Sequence, residues 1–128
     1  MTGYVGNIEE ITEVNEYFRE VLFTGTHAQL VVMCLKPGEE IGMEVHDKVD
    51  QFFRFESGEG KVVIDGEEHH VSDGWAVIVP AGAQHNIINV SKDRELKLYT
   101  IYSPPNHPHG TIHTTKAEAM AAEKEENH

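Results

Sequence analysis

The polar and apolar positions of this chain change rhythm near residue 28. Before it, Ile8, Ile11, Val14, Phe18 and Leu22 stand three and four apart among acidic residues. That spacing gathers them on one helical face. It predicts one short helix, or a helix and an extended lead-in, packed outside the main body and ended by Gly25. After residue 28 the period shortens to two. Residues 28–38 read as a strand entering a turn at Pro37-Gly38. In residues 51–60, Gln51, Phe53 and Phe55 share one face, and Phe52, Arg54 and Glu56 the other. Residues 61–71 form two strand runs around Asp65-Gly66, a strong hairpin signal. Residues 75–82 read as a strand stopped by Pro80. Two more strands follow over 85–91 and 95–105, the second ended by Pro104-Pro105. At least seven short strands between Gly, Pro and Asp turns predict an all-β sandwich or barrel, not a parallel α/β sheet. Past Pro105 comes a loop, then a helix-forming stretch over 114–127 with Thr114 or Thr115 as its cap. Its charged end, residues 123–128, is expected to fray. The expected organisation is one domain: helix and lead-in over 1–27, β-barrel over 28–105, loop and helix over 106–128.

A chain of 128 residues suits one domain and can hold a core without staples. Cys34 is the single cysteine, so no intramolecular disulfide forms. With no base or helix N-terminus evident nearby, it reads as a small buried apolar residue. The formal charge of −12, with lysines and arginines scattered singly, repels a phosphate backbone and argues against nucleic acid as a partner. No apolar run approaches the roughly 18 residues of a membrane span. The N-terminus is acidic and lacks the basic-then-apolar order of a signal peptide. A reduced cytoplasmic location is the expectation.

Nine histidines are a large supply of metal ligands for this length. The most specific signal lies in the second half, at Gly74, Pro80, Gly82, His85 and Asn89. This run resembles the second cupin motif, G-x5-P-x-G-x2-H-x3-N, at every fixed position. Residues 38–60 resemble the first motif, G-x5-H-x-H-x3,4-E-x6-G, through Gly38, His46 and Gly58 or Gly60. There are two departures. Glu44 takes the place of the first histidine, and Gln51 that of the glutamate. The resemblance covers roughly residues 28–103. The flanking segments look like a subgroup of small single-domain bacterial cupins, sometimes labelled mannose-6-phosphate-isomerase-like, a label that implies little about substrate.

The resemblance implies a double-stranded β-helix (a cupin or jelly-roll barrel) with short terminal helices. It also implies one divalent metal ion held by Glu44, His46, Gln51 and His85. Chemistry survives the two exchanges. Glu44 and His46 are two apart, so a strand turns both to one side. One carboxylate, two imidazoles and one amide oxygen carry the same ligand charge of −1 as three imidazoles and a carboxylate. Such a set suits manganese, iron, cobalt, nickel or zinc, and magnesium weakly. The harder amide donor tilts it toward manganese or iron.

Among the other residues, His109 and His113 have the spacing of a helical ligand pair, but Gly110 and the neighbouring prolines argue against a helix there. A lid role is open to His113, and His107 lies in the same loop. His69 and His70 read as solvated, and His27 has no evident partner. Phe53, Phe55 and Tyr99 either pack the core or line the barrel beside the metal. Arginine is scarce: Arg19, Arg54 and Arg94. A sugar phosphate or 2-oxo acid needs a cationic clamp. Parity turns Arg54 outward, which leaves Lys61 or Lys97. Three functions stay open. One is a metal-dependent isomerase, hydrolase or dioxygenase acting on a small oxygen-rich molecule. Another is a non-catalytic small-ligand module, with no DNA-binding segment evident. The third is a metal-free sugar-epimerase-like cupin, for which no histidine–aspartate base pair is assignable. A homodimer formed through edge strands or a swapped N-terminal segment is expected.

Overall fold

A computed structural model describes residues 2–126. The fraying expected of residues 123–128 lies partly outside that range. Helix α1 spans Ile8–Val14 and is opened by the Asn7 side chain, which accepts from the Glu10 N–H at 3.2 Å. The periodic pattern does not continue as helix. Arg19–Thr24 is strand β1, so the extended lead-in is itself a strand of the larger sheet. The strands that follow are β2 (Gln29–Leu35), β3 (Glu44–Val45), β4 (Asp50–Ser57), β5 (Glu59–Ile64) and β6 (Glu67–Ser72). Next come β7 (Ala76–Val79), β8 (Gln84–Asn89), β9 (Leu96–Ser103) and β10 (Ile112–His113), then helix α2 (Lys116–Glu126). The Asp65-Gly66 turn has both residues at positive φ, 48° and 83°, as a two-residue hairpin between β5 and β6 requires.

Two antiparallel sheets make the double-stranded β-helix. One has the order β10-β1-β2-β9-β4-β7, the other β3-β8-β5-β6. Their inner faces share a core in which Val31, Met33 and Leu35 of β2 meet Phe53 and Phe55 of β4, Leu96 and Leu98 of β9, and Ile87 of β8. Phe53 and Phe55 stack with ring centroids 6.5 Å apart. Tyr99 takes the other face of β9, against Phe52 at 6.2 Å, and so does not line the barrel interior. Parity explains it: Leu96, Leu98, Thr100 and Tyr102 are the buried positions of that strand.

Helix α1 lies over the outer face of β2, β4 and β9. Its last turn carries no basic residue of its own. Lys97 supplies the cation from β9, its ammonium donating to the carbonyls of Glu13 and Asn15 at 2.8 and 2.9 Å. At α2, the Thr115 hydroxyl accepts from the Glu118 N–H, and the Glu118 carboxylate accepts from the Thr115 N–H, both at 3.2 Å. This reciprocal pair caps the helix. Cys34 is buried, and burial pushes its thiol up to about 11, as expected of an inert core residue.

Candidate metal centre

Two distant segments meet where β3 pairs with β8. Glu44 stands directly opposite His85 in that ladder. Gly82, at φ 89°, donates its N–H to the His46 carbonyl at 2.9 Å. The corner built by Pro80 and Gly82 therefore fastens the strand that carries Glu44 and His46. Glu44 and His46 turn to the same side, as period two predicts, while Val45 between them is 48% exposed. Glu44 Oε2 lies 3.0 Å from His46 Nε2, and the His46 and His85 ring centroids are 5.4 Å apart. One ligand atom from each of Glu44, His46 and His85 lies within 4.8 Å of the others. Donors about 2.1 Å from one ion stand roughly 3 to 4 Å apart, so small side-chain rotations close this set on a metal.

Hydrogen bonding orients two of the four candidate donors. His85 is 2% exposed, and its Nδ1 lies 3.2 Å from the Ala83 carbonyl. A carbonyl only accepts, so Nδ1 carries the proton and Nε2 keeps its lone pair. That Nε2 is buried with no partner. Gln51, also 2% exposed, donates from Nε2 to Thr100 Oγ1 at 3.0 Å. The Thr100 hydroxyl in turn donates to the Phe52 carbonyl at 2.8 Å. With that proton committed, the Gln51 nitrogen must face Thr100, and Oε1 is left buried and unpaired. Gln51 lies across from Tyr102, whose ring is 5.9 Å from that of His46. An orphaned buried acceptor costs about 1–3 kcal/mol. A cation held with Glu44 and His46 would satisfy His85 Nε2, so the residues of this cluster fit a divalent metal.

Electrostatics agree. Burial opposes ionisation of Glu44, but the hydrogen bond and charge of His46, with Arg19 and His85 beyond, outweigh it and hold the carboxyl below its usual range. Burial pushes His85 down, which keeps it neutral and able to donate its lone pair. A cavity of about 190 Å3 opens beside Glu44 and His46, lined also by Arg19, Asn106, His107 and His113. Burial, then the nearby Arg19 charge, lowers His107 to about 4. Its Nε2 lies 3.2 Å from the Tyr102 hydroxyl, and burial pushes that phenol well up.

The other candidates separate clearly. Phe53 is both core and wall, its ring edge-on to His85 at 6.2 Å. His69 and His70 are exposed. His109 Nδ1 lies 3.0 Å from the Thr24 hydroxyl, and among the described residues no second group of three such metal ligands forms around His109 and His113. Neither lysine named as a clamp reaches the cavity: Lys61 faces Glu68 at 3.4 Å, and Lys97 caps α1. The cation that does is Arg19. Reading residues 7–22 as helical hid it. The signal was present in Val21, Phe23 and Thr24, β-formers running into Gly25, and Arg19 shares the buried face of the strand with Val21.

A barrel of two antiparallel sheets with a Glu/His cluster at the β3–β8 pair defines a class, and comparison with known proteins agrees. Residues 31–102 match the family model described as the cupin domain. The chain belongs to the cupin family. It is 48% identical over 126 residues to the uncharacterized protein YrkC of Bacillus subtilis, covering 94% of this chain and 67% of that one. It is 42% identical over 120 residues to the uncharacterized protein L612 of Acanthamoeba polyphaga mimivirus, covering 91% and 74%. The crystal structure of BH2720 from Bacillus halodurans superimposes with a TM-score of 0.91 at 46% identity, covering 94% of this chain and 95% of that one.

Proposed function

We propose that this cupin binds one divalent metal ion through Glu44, His46, His85 and the amide oxygen of Gln51, and acts as a metal-dependent enzyme on a small oxygen-rich molecule. The observation that supports it best is the buried, unpartnered Nε2 of His85, a residue gathered with Glu44 and His46, beside which Gln51 Oε1 is a second buried acceptor without a partner. A bound ion would supply Lewis-acid polarisation of substrate oxygens or, as iron, activation of dioxygen. The chain's own groups do the rest. Glu44 contributes the one negative charge of the ligand set. Gln51 is held at fixed orientation by Thr100. The Tyr102 hydroxyl keeps its proton at neutral pH, in contact with a neutral His107 at the cavity wall.

Metal content by mass spectrometry tests the reading, on untagged wild type beside His85→Ala and Glu44→Ala. Near-stoichiometric metal in the wild type and loss in both variants is the expected result. Metal-reconstituted protein would then be screened for oxygen consumption and isomerase activity. A wild type that is empty and cannot be loaded sinks the proposal, and a non-catalytic small-ligand site takes its place.

A further inference from the structure

Arg19 is 2% exposed, yet it lines the same cavity as Glu44 and His46. No described neighbour forms an ion pair with it. Among the described residues, no carboxylate lies within 4.0 Å of its guanidinium. Its contacts with described residues are uncharged or π in character. Nη1 lies 3.3 Å from His113 Nδ1, which accepts from a guanidinium only as the neutral ring nitrogen. The Cζ atom sits 5.2 Å from the Phe18 ring centroid. Nε is buried with no partner at all. A buried cation without a paired anion is costly, and an unsatisfied donor adds to the cost. Mobility does not explain it, because β1 fixes Arg19 between Met33 of β2 and His113 of β10.

The charges facing the cavity sum to an anion site. A divalent ion would contribute +2, Glu44 −1 and Arg19 +1, leaving +2. Glu123 on α2, an exposed residue at the cavity margin, takes back one. The volume of about 190 Å3 holds roughly six waters at ~30 Å3 each, below the roughly 300 Å3 at which drug-sized pockets begin. A planar guanidinium fork matches a carboxylate, and a single arginine with this small surplus suits one carboxylate better than a phosphate dianion. We infer that the site takes a small carboxylic acid, of the 2-hydroxy or 2-oxo class, with its carboxylate on Arg19 and its neighbouring oxygen directed to the metal centre. This inference rests on the metal reading above and names its substrate class.

The test uses cobalt(II)-loaded protein, whose visible absorption reports ligand entry without any turnover. Lactate, pyruvate, neutral propane-1,2-diol and inorganic phosphate are titrated into wild type, Arg19→Met and Arg19→Lys. The wild type should bind lactate or pyruvate at least tenfold more tightly than the diol or phosphate. Arg19→Met should lose that tenfold preference while keeping its cobalt, and Arg19→Lys should keep part of it. Equal affinity for the diol, tighter binding of phosphate, or an unchanged preference in Arg19→Met overturns the carboxylate assignment. If no metal loads, the metal reading has failed on its own. The anion claim is then decided in metal-free protein by the Arg19 Nε–H signal in 1H–15N spectra. A saturable shift with lactate but not with the diol sustains it, and no shift ends it. If Arg19→Met does not fold, Arg19→Lys and the same signal in the wild type decide.

Discussion

His107 shows what a single residue contributes before any ligand is considered. The Gln29 side chain grips its backbone, Oε1 accepting from the His107 N–H at 3.0 Å and Nε2 donating to the His107 carbonyl at 2.7 Å. The ring is thus held against Tyr102, their centroids 5.2 Å apart. Burial and Arg19 depress it from an ordinary 6.5 to about 4. A histidine depressed in the folded state binds fewer protons there than in the unfolded chain between those two values. Stability from this group is therefore complete above pH 6.5 and is lost as the pH falls toward 4. His85 acts in the same direction, and the depressed Glu44 adds a further loss below the ordinary carboxylate range. Metal-free protein should show urea midpoints that fall from pH 7 to pH 4.5, with a shallower fall in His107→Gln. Parallel slopes in the two proteins would remove His107 from the account.

Elements meet most tightly at the corner between β4 and β5. Gly58 has φ 101°, and a Cβ there would lie 2.5 Å from the Glu95 carbonyl oxygen and 3.0 Å from Leu96 Cα. Both are backbone atoms at the start of β9, so nothing flexible can yield. Gly58→Ala should cost about 2 to 4 kcal/mol, overpacking added to a left-handed φ. Gly38→Ala, at φ 78° in open space, should cost only about 1 to 2 kcal/mol. Chemical denaturation of the two variants checks the difference, and equal losses would mean that the β9 contact yields after all. At this scale much of the fold was legible. The alternation of Gln51, Phe53 and Phe55, the Asp65-Gly66 hairpin and the Pro80–Gly82 corner are local signals, and each lies where the pattern put it. What misled was local ambiguity. A three-and-four spacing that includes Phe18 and Leu22 mimics a helix, whereas pairing with Met33 and Val31 across β2 makes Arg19 and Val21 a strand. The roles of Lys97 and Arg19 were hidden for a related reason. Each is fixed by a partner 80 or more residues away, Asn15 for one and His113 for the other, and no period within a single strand reports that.

For the molecule as a whole, the candidate ligands bridge the two sheets. Glu44, His46 and His85 belong to the β3–β8 side, and Gln51 belongs to β4 of the larger sheet. An ion shared by all four would tie one sheet to the other and bind the folded state alone. At a free concentration one hundred times its Kd it should stabilise by about 2.7 kcal/mol. For a chain of this size that is roughly 10 °C in Tm. Thermal scans of wild type with and without manganese(II) measure it, and a Tm equally raised in His85→Ala would assign the effect to some other site. Of the candidate ligands, Glu44 rides at the margin of the smaller sheet, on β3, a strand of two residues with one hydrogen-bonded neighbour, and His46 follows directly after it. Such a margin opens at far lower free energy than the core does. An ion held there would come and go by the breathing of one short edge while the barrel stays intact. The centre would then be filled according to whichever metal its surroundings supply at the time, and not sealed with the ion present when the chain folded.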